Sequence, residues 1–89
     1  MRAVITVVGK DTVGILSKVS SICAKYDINI TEVSQTILED MFCMIMMADI
    51  TSSKVEFSVF SDELSKYGDE NALSIHVMHE DIFNSMHRI

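Results

Sequence analysis

A chain of 89 residues is one domain, 1–89; a chain of this size buries only about 60–68% of the surface that its unfolded form exposes. That leaves no room for a deep catalytic cleft beside a separate core. Seven Lys+Arg against thirteen Asp+Glu give a net charge of −6, which removes the basic footprint needed for nucleic acid or an anionic membrane. No apolar run is long enough to span a bilayer, and the first residues read as a strand rather than a signal peptide. Cys23 and Cys43 share no CxxC spacing. Reduced core thiols in a cytoplasmic protein are the expectation.

Arg2 to Val8 (RAVITVV) is β-branched and apolar on both faces, as a central strand would be. Gly9 to Thr12 breaks it. From Gly14 the period becomes helical, with Ile15, Val19, Ile22, Cys23 and Tyr26 on one stripe. Asp11 and Thr12 are capping types just upstream, and Asp27 ends the helix. Asn29 to Leu38 forms a second strand, whose imperfect alternation admits a bulge near Thr31–Val33. Glu39-Asp40 turns the chain into the longest strand, Phe42 to Thr51.

Ser53-x-x-Glu56 has the form of a capping box opening a second helix, with Phe57, Phe60, Leu64 and Tyr67 as its core stripe. Gly68 closes it as a C′ glycine. Ala72 to His79 is the fourth strand, and Asp81 to Ile89 a short tail helix. The order β-α-β-β-α-β predicts an α+β, ferredoxin-like sandwich: two helices on one face of an antiparallel sheet ordered 4-1-3-2. Many functions share that fold, so the site decides.

Two places could hold a ligand. Gly14 at a helix start lets a backbone approach a small carboxylate, and first-turn N–H groups carry positive potential. The plainer reading is a connecting turn. Asn29 offers donors and an acceptor to an amine and a carboxylate together, or it merely shapes the start of a strand.

The run GKDTVGILSKVSSICAKYDINITEVSQT resembles the first half of an ACT domain. Gly9, Asp11, Gly14, Ile15, Asn29 and Ile30 match that family's pattern in order and spacing, and the remaining elements follow it. The segment from His79 to Arg88 is similar to the end of small stand-alone bacterial ACT-domain proteins. The resemblance implies a regulatory module rather than an enzyme, with no cofactor. It also implies an amino acid or similar metabolite at an interface between paired domains. Asp11, Thr12, Val13, Gly14, Ile15, Asn29 and Ile30 would face that ligand. The alternative is a subunit without ligand that pairs with a larger enzyme or regulator.

Pairing has independent support. The third strand carries Phe42, Met44 and Met46 on one face and Cys43, Ile45 and Met47 on the other. Helices cover only one face of such a sheet, and monomers rarely expose a large apolar patch. A homodimer is expected, or a tail helix that folds back through Ile82, Phe83 and Met86, or both. His76 and His79 point to opposite faces of a strand, and His79 could meet His87 or Glu80 only if the tail turns back. A metal site is therefore not expected. Lys10 is the only cation in the first loop, too little for a phosphate-handling site. Strand aromatics for RNA are missing, and no nucleophile–base constellation stands out.

Overall fold

The structure, a computed structural model, describes residues 1–10 and 14–86. The elements are β1 (Arg2–Gly9), α1 (Ile15–Lys25), β2 (Asn29–Leu38), β3 (Met41–Asp49), α2 (Phe57–Glu70), β4 (Ser74–His79) and α3 (Glu80–Met86). All strand pairs are antiparallel, and the sheet runs β2-β3-β1-β4. This is the expected ferredoxin-like order. β1 lies between β3 and β4, which is why it is apolar on both faces.

The register sorts the faces. Ile5 pairs with Met46 and Val77, and Val7 pairs with Met44 and Ile75. These residues meet Ile15, Val19, Ile22 and Cys23 of α1 and Phe60 and Leu64 of α2 in the core. The opposite face carries Val4, Thr6 and Val8 of β1 beside Met47, Ile45 and Cys43 of β3. Cys43 is half-buried there rather than packed in the core, because strand alternation turns it away from the helices. The bulge falls at Thr31, where the β2–β3 register shifts between Ile30 and Glu32.

Several ends differ from the sequence reading. α1 stops at Lys25, and Asp27 takes a left-handed φ of 57° after it. The Ser53 capping box does not form: Glu56 is the N-cap of α2, without a side-chain bond. Ser53 Oγ instead accepts the Val55 N–H and donates to the Val55 carbonyl, a local loop that competes with the helix. Gly68 is no terminator either, since α2 continues to Glu70 and the left-handed residue is Ala72, φ 57°. Gly68 is needed for packing: a Cβ there would stand 2.8 Å from the Leu73 carbonyl oxygen and 3.0 Å from Ile75 Cγ1. β3 ends at Asp49 rather than Thr51, and Asp49 Oδ1 accepts the Thr51 N–H at 2.9 Å as the chain turns. β4 begins two residues later than expected, at Ser74.

α3 follows β4 without a loop and contacts β1 and β4. Arg2 binds Glu80 at its first turn. Val4, on the face away from α1 and α2, is fully buried, whereas Ile45 on β3 is 42% exposed. The tail helix thus covers one half of that face and leaves the other bare.

Candidate functional site

Gly14 is the N-cap residue of α1, with φ 76° and ψ 0°. That left-handed conformation suits glycine, and no atom lies within 4 Å of where its Cβ would be. The Gly14 carbonyl accepts the Lys18 N–H at 2.9 Å, and among the described residues no side chain caps the helix start. Asp11, Thr12 and Val13 lie outside the described residues. Ile15 points into the core at 2% exposure, so only its backbone can meet a ligand.

Asn29 is exposed at the start of β2, and Ile30 beside it packs partly against the core. Asn29 pairs with Asp49, which in turn pairs with Arg2. Gly9, the last residue before the first loop, pairs with Phe42 at the other end of β3. The eleven residues of α1 span about 16 Å between Gly14 and the approach to Asn29. Within one chain the proposed site residues therefore fall into two groups at opposite ends of the sandwich. Gly14 and Asn29, both expected to face the ligand, thus do not stand across from one another in one chain: a helix returning antiparallel to β1 delivers the chain to the far end of the sheet.

The Asn29 end holds a residue that the sequence reading passed over. Hydrogen bonds from the Thr51 side chain and backbone keep the Asp49 carboxyl below its ordinary range. An ionised carboxylate beside Asn29 is chemically suited to an ammonium group, and the chain's own Met1 ammonium lies 4.0 Å from Asp49 Oδ1. The hairpin register, counted from the Glu39-Asp40 turn and shifted by one at the bulge expected near Thr31–Val33, leads to this pairing.

The Gly14 end offers no free carboxylate among the described residues nearby. Lys10 lies 3.6 Å from Asp40, and the adjoining depression is bordered by Gly9, Met41 and Ser74. On the outer face of the helices, Glu63 accepts from Lys25 Nζ at 2.6 Å and from the Tyr26 hydroxyl. These bonds, that from Lys25 first, hold Glu63 below its ordinary value, and the bond to Glu63 raises Lys25. The arrangement ties the end of α1 to α2 and is structural.

His76 is exposed on the sheet face, while His79 stacks on Phe57 at 4.1 Å on the helix side. Among the described residues no group of three His, Cys, Asp or Glu side chains could hold a metal ion. His87 lies outside them. Burial pushes the Cys23 thiol up to about 11, so it is inert at neutral pH. No helix among the described residues is long and apolar enough to cross a membrane.

A βαββαβ sandwich whose first helix opens on a left-handed glycine defines a small ferredoxin-like domain. Comparison with known proteins names the group. The profile of the ACT domain matches residues 2–78, and the chain belongs to that family. A UPF0237 protein of Clostridium perfringens is 51% identical over 89 residues, covering 100% of both chains. A UPF0237 protein of Methanocaldococcus jannaschii is 44% identical over 88 residues, covering 99% of this chain and 98% of its own. An ACT domain protein from Streptococcus pneumoniae superposes with a TM-score of 0.79 at 35% identity, over 93% of each chain.

Proposed function

We propose that this ACT domain is a regulatory sensor that binds a small amino acid between two copies of the chain. The observation that carries this reading is Gly14, an unobstructed left-handed residue opening α1 in a chain of the ACT family. Among the described residues no side chain caps the first-turn N–H groups of α1, which favour a carboxylate. Asn29 and Asp49 supply the opposite chemistry, a place for an ammonium.

One chain holds these two ends about a helix length apart. Two copies lying antiparallel bring the Gly14 end of one to the Asn29 end of the other. The exposure of Val33 and Ile37 along the edge strand β2 supports a neighbour there. Both cysteines are free, which fits a reducing cytoplasm. The bound state would report to an enzyme or regulator that carries the activity.

A thermal-shift screen against the twenty amino acids tests the reading, because a ligand specific for the folded state raises its melting temperature. One or a few amino acids should stabilise the protein at millimolar concentration. If none does, the module works as an interaction subunit without ligand.

A further inference from the structure

We propose that two copies also stack through the sheet faces turned away from α1 and α2, each α3 seated on the partner's bare β2–β3 half. This contact is separate from the amino-acid site and does not depend on it. Among the described residues α3 packs chiefly on β1 and β4, so one half of the face is raised by a helix and the other is not. A helix is about 10 Å thick. A twofold axis running along the strands, in the plane between the copies, sets each raised half against a bare one. The stepped shape is self-complementary, as a twofold contact requires.

Both halves offer apolar side chains where they would meet, the bare one along β3, with Glu32, Ser34 and Thr36 of β2 at its edge. α3 buries none of its residues within its own chain. Ile82 and Met86, four apart and so on one helix face, are 52% and 66% exposed. Opposite them stand Ile45, with Cys43 and Met47 half-buried on either side.

Charge selects the same face. Two copies of a chain with net charge −6 repel wherever carboxylates face one another. Between the rows Glu32–Met47–Val4–Met78 and Thr36–Cys43–Val8–Ser74, Glu32 is the one carboxylate and His76 the one basic side chain; of the two acids that open α3, Glu80 is paired with Arg2 and Asp81 is exposed. The helix side instead carries Glu56, Asp62, Glu63, Asp69 and Glu70 around α2. Four strands at about 4.8 Å spacing and roughly 25 Å length give a footprint of roughly 500 Å² per copy. That is close to the total of about 1,000 Å² at which an interface becomes specific.

Ile45→Glu and Met86→Lys, made in separate chains, test the contact by light scattering at micromolar concentration. Both positions are exposed, and circular dichroism should show each variant folded. Wild type should scatter as at least twice 10.0 kDa. Each variant alone should lose one doubling of mass. Mixed together they should regain it, because Glu at position 45 of one chain then faces Lys at position 86 of the other. Variants that keep the wild-type mass, monomers that fail to combine on mixing, or a wild type that is monomeric throughout would each overturn the proposal. The amino-acid reading is judged separately by thermal shift, which these surface changes leave intact.

Discussion

Gly14 and Asn29 flank α1 from opposite ends, so no single chain can close both around one small molecule. Complementation follows from that separation. Gly14→Val, which places a branched side chain at φ 76°, should block the carboxylate end. Asn29→Ala should remove polar contacts worth about 1–3 kcal/mol. Each variant alone should lose binding in calorimetry with the stabilising amino acid. An equimolar mixture should recover about a quarter of the wild-type sites, since mixed pairs keep one intact site of two. A mixture as inactive as its components would refute the shared site.

The two glycines should lose stability to alanine for different reasons. At Gly68 a Cβ meets the Leu73 carbonyl and Ile75 at 3.0 Å or less, so Gly68→Ala should cost about 1–3 kcal/mol through overpacking. At Gly14 there is open space, and Gly14→Ala should cost only the left-handed backbone, about 1–2 kcal/mol. The distinguishing measurement is whether Ile75→Ala, which removes Cγ1 and Cδ1, costs less in the Gly68→Ala background than in wild type in urea melts, as it should, and costs the same in the Gly14→Ala background.

Met44 and Met47 sit three apart on opposite faces of β3. Met44 is buried under the helices, and Met44→Lys should unfold the protein by stranding a charge in the core. Met47 lies half-buried on the other face, and Met47→Glu should leave a folded chain of lower mass. Circular dichroism with sedimentation separates the outcomes.

Glu63 makes stability depend on acid. Its carboxyl is held below the ordinary value of 4.5, chiefly by the Lys25 hydrogen bond. The folded state therefore favours the ionised form, so the contribution is present above pH 4.5 and lost as pH falls through the depressed value. Glu63→Gln should melt lower than wild type at pH 7, with the gap closing toward pH 3. An equal gap at both pH values would show that the pairing contributes nothing through charge.

The thiols should react unequally. Cys43 is half-buried on the open sheet face, while Cys23 is enclosed and its thiol is pushed up to about 11. A disulfide reagent at pH 8 should modify Cys43 first and Cys23 only with denaturant. Dilution, by freeing the open face, should speed the reaction of Cys43.

The residue types alone carried the element order and the sheet order. Strand runs such as RAVITVV and the helical stripe Ile15, Val19, Ile22, Cys23 repeat with periods that only one pairing of elements can bury. They also marked Gly14 and Asn29 as unusual, because a small or polar residue at an element start has a local meaning. The ends of α2 escaped because Ser53 satisfied its neighbours locally and because Gly68 answers to β4, which is distant in sequence. Tertiary structure alone decided that Gly14 and Asn29 stand apart, that Asp49 joins Asn29, and that α3 covers half a sheet face. Each depends on where an antiparallel return delivers the chain. Periodicity reports which side of an element is buried, and only the assembled register reports which residues become neighbours.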